Sequence, residues 1–81
     1  MKNTIRVKSM AGYLNFICDE KSSFPVLIGD LRERLEVIEQ KKIKDIPCVI
    51  WLEGRELSES ERLELRDTFQ SFGINDFKSI N

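Results

Sequence analysis

The run Ile46 to Leu52, IPCVIWL, constrains the fold more than any other part of the chain. It is the most hydrophobic stretch, yet it is only strand-length, far below the ~20 apolar residues that cross a bilayer. Apolar residues at consecutive positions predict a central strand, covered on both faces or nearly so. Pro47 belongs at its entry, because proline has no N–H to offer a strand ladder. With 81 residues in all, the chain has material for one small domain, residues 1–81, built around this strand.

The flanking segments supply the rest. Thr4 to Ser9 alternates, with Ile5 and Val7 on one face and Arg6 and Lys8 on the other, and reads as a half-buried strand. Ala11-Gly12 forms a turn, and Tyr13 to Cys18 is a second strand rich in β-favouring residues. The short gap makes the pair a hairpin. Ser22 and Ser23 offer helix N-caps, with Pro25 in the first turn, where N–H groups lack helical partners. From Phe24, Leu27, Ile28, Leu31, Leu35 and Ile38 draw one helical stripe. Gly29 either weakens this helix by ~1 kcal/mol or admits another backbone. The helix is expected to fade at Lys41-Lys42, and Lys41 to Asp45 reads as a solvated connection.

After the central strand, Glu53-Gly54-Arg55-Glu56 turns the chain. Ser58 to Glu61 fits a capping box, in which serine and glutamate satisfy each other's backbone N–H groups. Leu65, Phe69 and Phe72 continue a second stripe with Leu63 nearby, and Gly73 stands where a left-handed glycine ends a helix. Phe77 to Ile80 reads as a last edge strand. The order is β-β-α-β-α-β. The expected fold class is α/β: a two-layer sandwich with a mixed four-stranded sheet and two helices on one face. Sheet order is not legible at this level.

Chemistry is constrained by what the chain lacks. It has no histidine, which removes the usual general base and the commonest metal ligand. It has no C-x-x-C pair and no glycine-rich phosphate loop, since its four glycines are isolated. Cys18 and Cys48 sit in apolar runs and read as buried small hydrophobes rather than a disulfide. The acidic residues Glu53, Glu56, Glu59, Glu61 and Glu64 lack calcium-loop spacing. They suit the positive end of a helix dipole better than a metal, and Arg62 and Arg66 offset part of their charge. The expectation is a non-enzyme with no cofactor, no metal and no small-molecule substrate.

Thirteen Lys and Arg against fourteen Asp and Glu give a net charge of −1, which argues against a polyanion binder. A sheet face carrying Arg6, Lys8, Tyr13 and Phe16 would nonetheless resemble a stacking platform for single-stranded nucleic acid. The N-terminal MKNTIRVKSM has no apolar run of signal-peptide length. Neither membrane insertion nor a secretory route is expected, and the expected compartment is the cytoplasm.

The pattern also resembles a known family. Ile5-Arg6-Val7-Lys8, Leu14, Asp19, Ser23-Phe24 and Leu35 form one matching block. Val49-Ile50-Trp51-Leu52, Gly54-Arg55 and Leu57 before an acidic helix form the second. Together they are similar to the N-terminal domain of the septum-site-determining protein MinC, a bacterial division inhibitor, over most of the chain. Ser9 departs from the family, which usually has glycine there. The resemblance implies a domain that binds the tubulin-like division protein FtsZ and antagonises its polymerisation, by protein–protein contact alone. It implies partner-binding roles for Lys8, Arg6 and Tyr13 on the hairpin, and for the turn residue Arg55. The chain is then either such an N-terminal domain or a free-standing relative serving as an adaptor for another partner. An exposed edge strand would also allow pairing with a second copy.

Overall fold

The computed structural model describes residues 4–19, 21–41 and 46–80. Strands β1 (Ile5–Met10) and β2 (Tyr13–Cys18) pair antiparallel, from Ile5 opposite Cys18 to Met10 opposite Tyr13. Both residues of the connecting turn are left-handed, Ala11 at φ 54° and Gly12 at φ 80°. This turn has the twist a two-residue hairpin needs. Glycine adopts it freely, whereas Ala11 bears a penalty of about 1 kcal/mol.

Helix α1 (Phe24–Gln40) follows, then β3 (Cys48–Trp51), α2 (Glu59–Ser71) and β4 (Phe77–Ile80). The sheet order is β1-β2-β3-β4, with β2, β3 and β4 mutually parallel. The strands advance in one direction across the sheet. Right-handed crossovers therefore set both helices on the same side, which is the two-layer sandwich expected. The central run forms a shorter strand than Ile46–Leu52. Pro47 stands at its entry and accepts a hydrogen bond from the Leu14 N–H at 3.0 Å.

The helix ends obey local chemistry. The N–H of Glu61 donates to the Ser58 hydroxyl, and the N–H of Ser58 donates to the Glu61 carboxylate. At the far end Gly73, at φ 78°, donates to the Gln70 carbonyl, and Ile74 donates to that of Phe69. This pair of bonds closes the last turn, and Ile74 folds back onto the core. Helix α1 begins differently. Ser23 holds the N-cap position without a side-chain cap, and Pro25 lies in the first turn. The Ser22 hydroxyl does not cap the helix, because it donates to Asp19 instead. The helix stops at Gln40, with Lys41 as its C-cap. The remainder of the predicted lysine-rich connection, residues 42–45, lies outside the described residues.

The core sits between the helices and one sheet face. Leu27, Ile28, Leu31 and Leu35 of α1 and Leu65 and Phe69 of α2 pack over Ile5, Phe16, Cys18, Cys48 and Ile50. Phe69 meets Phe16 edge-on at 5.7 Å and stacks on Phe77 at 4.7 Å. Leu63, expected only near the α2 stripe, lies off it and is exposed. Two expectations need correction. Val7 shares the helix-facing side with Ile5 yet is exposed, because β1 is an edge strand and runs out from under the helical layer. No described helix or strand covers the second face of β3. Val49 is buried there because Asn15 and Lys78 flank it in register.

The sequence reading also missed Asp30. It is 2% exposed in the middle of α1. Its Oδ2 accepts from the Thr4 hydroxyl at 2.6 Å and from the Ile5 N–H at 3.0 Å, and its Oδ1 lies 3.4 Å from Arg34 Nε. A buried carboxylate is tolerable with donors of this kind. The result ties the first residue of the edge strand to the helix.

Candidate functional site

The open sheet face gathers side chains from all four strands. The alternation that sends Ile5, Phe16 and Ile50 into the core sends their neighbours to the other side. Arg6 and Lys8 come from β1, Tyr13 and Asn15 from β2, Trp51 from β3, and Lys78 and Ile80 from β4. Arg6, Lys8 and Tyr13, expected to act together, do share this surface. The nucleic-acid platform does not assemble, because Phe16 lies on the opposite face and is completely buried.

Within this face is a shallow depression of about 320 Å³, lined by Met10, Tyr13, Val49, Trp51, Lys78 and Ile80 among others. Its lining is mostly apolar, with Asn15 and Lys78 as its polar and charged members beside the Tyr13 ring. The indole N–H of Trp51 donates to the Asn15 side-chain carbonyl at 2.9 Å. The Asn15 amide in turn donates to the Tyr13 carbonyl at 3.2 Å and reaches that of Lys8 at 3.5 Å. Asn15 itself is 5% exposed. A buried amide with both ends occupied holds the indole in one orientation. The Lys78 ammonium lies 5.6 Å from the centre of the Tyr13 ring, within reach of a cation–π contact. Trp51, Asn15 and Lys78 were not read as site residues, since only the strand register brings them together.

Arg55 stands elsewhere. Its Nη2 donates to the carbonyls of Asp19 at 2.7 Å and Ser22 at 2.6 Å, so it clamps the loop between β2 and α1. The same loop is tightened by Asp19, whose carboxylate accepts from the backbone N–H of Lys21 and from the hydroxyl and N–H of Ser22. These bonds, led by that of Lys21, hold the Asp19 pKa below its ordinary value, and Arg55 adds a smaller pull in the same direction.

A second depression, about 440 Å³, opens beside this loop and is lined by Arg6, Cys18, Asp19, Lys21 and Glu53. Its charges alternate in sign. Burial pushes the Cys18 thiol up to about 11, with Arg55 opposing and Glu53 and Asp19 reinforcing the rise. Burial, aided by Asp76, likewise pushes Cys48 up to about 11. Neither thiol is a nucleophile near neutral pH. They are free, and β2–β3 pairing sets Cys48 beside Leu14, four residues from Cys18, ~13 Å along the strand. Within the acidic cluster, Glu61 closes the capping box. Among the described residues no three His, Cys, Asp or Glu side chains converge as metal ligands. No described helix is long and apolar enough to cross a membrane.

Comparison with protein-family models, curated proteins and solved structures gives no match.

Proposed function

We propose that this chain is a non-enzymatic protein-binding domain whose partner docks on the open face of the sheet. On its resemblance to the MinC N-terminal domain, the partner is the division protein FtsZ, and the domain antagonises its polymerisation in septum placement. The observation that carries the docking reading is the uncovered face itself. It presents a half-buried tryptophan, fixed by a buried amide, beside an exposed Tyr13 and Met10. Oriented aromatic side chains with a polar rim are the usual anchors of protein interfaces. The contact residues on this reading are Lys8, Arg6 and Tyr13. Arg55 keeps the loop closed, and its contribution to binding is indirect.

Co-sedimentation of FtsZ polymers with increasing amounts of the domain tests the partner. The expected result is less polymer in the pellet, with Lys8→Glu restoring most of it. Unchanged polymer at several-fold molar excess rules FtsZ out. A pull-down from extract then separates the two halves of the proposal. Capture of a different protein, lost with Lys8→Glu, keeps the face as the docking site and makes the domain an adaptor for that protein. Capture that Lys8→Glu leaves intact moves the contact off this face.

A further inference from the structure

The charges of this chain are segregated by face. Arg6, Lys8 and Lys78 are the charged strand residues on the open side, and all are cationic. None of the fourteen Asp and Glu occupies a strand position there, so the rest of the chain holds ten basic against fourteen acidic residues. A molecule with a net charge of −1 thus carries a face of +3 and a remainder of −4. Lys78 lines the depression between Tyr13, Trp51 and Ile80, and Lys8 stands opposite its Asn15 in register, whereas Arg6 lies farther along β1, at the second depression with Asp19 and Glu53.

We infer that this face binds a linear acidic segment of a partner protein, which seats one apolar side chain between Tyr13 and Trp51 while its carboxylates meet Lys8, Lys78 and Arg6. This rests on the docking reading above but not on the identity of the partner. Size selects a segment over a folded domain. Four strands at ~4.8 Å spacing and up to six residues at ~3.3 Å each give a face of roughly 300–400 Å². A standard interface buries about 800 Å² on each partner, whereas one helix or extended strand fits the smaller area. Charge selects the composition, because complementary potentials speed encounter and reject like-charged partners. A second copy of this chain is disfavoured for that reason, since two +3 faces would oppose each other. A nucleic acid would meet only three cations and one exposed aromatic ring, without Phe16.

Trp51 is the single tryptophan and lies in the depression, so its fluorescence reports occupancy directly. The probe is a short peptide of Asp and Glu with one central Phe. Controls are the same peptide with Phe→Ser, a Lys-rich peptide with the same Phe, single-stranded oligothymidine, and vesicles of anionic lipid. The acidic Phe peptide is expected to shift Trp51 emission to the blue. Its binding is expected to weaken about tenfold with Lys8→Glu plus Lys78→Glu. It is also expected to weaken from ~0.1 M to ~1 M salt, as the screening length falls from ~10 Å to ~3 Å. The Phe→Ser peptide is expected to bind more weakly, and the Lys-rich peptide not at all. Circular dichroism checks that the variant remains folded. An equal response to the Lys-rich peptide, tighter binding to the oligonucleotide or vesicles, or no response at millimolar acidic peptide overturns the inference. Co-sedimentation with FtsZ that succeeds while every acidic peptide fails refutes the acidic-segment assignment and leaves the docking reading standing.

Discussion

At the scale of single residues, the polar atoms that the core admits are spent on holding segments together. Asp30 is the clearest case, because the Ile5 N–H and the Thr4 hydroxyl both end on its carboxylate. Asp30→Ala would strand both donors, each at a cost of ~1–3 kcal/mol. The expected loss is ~2–4 kcal/mol, and Asp30→Asn should lose less, since its remaining oxygen still accepts. Urea unfolding measures both. Equal stability of Asp30→Ala and the parent would show that β1 is held by Ile5 burial alone. The residue was hidden in the sequence because an aspartate within a helix reads as part of the solvent-facing side. Its position three residues after Leu27, at the margin of the apolar stripe, was the available clue. The cysteines give a pH prediction. Each thiol rises on folding from 9.0 to about 11, so its contribution is complete below pH 9 and is lost as pH climbs through about 11. Unfolding free energies in reductant should therefore fall between pH 8.5 and 10.5. A Cys18→Ala, Cys48→Ala double variant should show a shallower fall, with Lys and Tyr titration common to both proteins.

At the scale of elements, most local signals are legible because their chemistry is local, the uncapped start of α1 at Ser23 being the exception. The capping box at Ser58, the glycine stop at Gly73 and the hairpin turn each need only adjacent residues. Two elements carry a suboptimal residue, and each yields a prediction. Ala11→Asn places in the first left-handed turn position a residue that tolerates it. It should stabilise the domain by ~0.5–1 kcal/mol. Gly29→Ala adds a methyl in the interior of α1, where its Cβ would find no atom within 4 Å among the described residues, the helix's own backbone aside. Of the two alternatives open in the sequence, no described backbone from another element approaches Gly29, and alanine should gain ~1 kcal/mol. Thermal melts of the two variants and their combination check this, with the gains adding because the sites share no contacts. A destabilised Gly29→Ala would mean that α1 bends there in solution. The elements themselves could not reveal sheet order, because nothing in the composition of β3 says which strands flank it. Nor could they reveal the Asn15–Trp51 bond, which exists only once β2 and β3 are aligned in parallel register.

At the scale of the whole molecule, consecutive crossovers of one hand put both helices on one side and leave the other side bare of any described helix or strand. On the proposed docking reading, stability and binding reside on opposite faces of one sheet, four residues of β3 serving both. Ile50 points to the core, whereas Trp51 points to the open side. An 81-residue domain has a total stability of roughly 4–12 kcal/mol. Phe69, fully buried between Phe16 and Phe77, should cost ~3–5 kcal/mol when replaced by alanine, a large part of that total. Lys8→Glu and Arg6→Glu, exposed on the other side, should each change stability by less than ~0.5 kcal/mol. The same two reversals should each weaken the partner's attraction to the face, while Phe69→Ala at a temperature where it stays folded should bind normally. Denaturant titration paired with a binding assay on all three variants measures both axes at once. A reversal that lowered stability as much as Phe69→Ala would mean that the open face is held together by its cations and is part of the fold, which would remove the physical basis for assigning it to a partner.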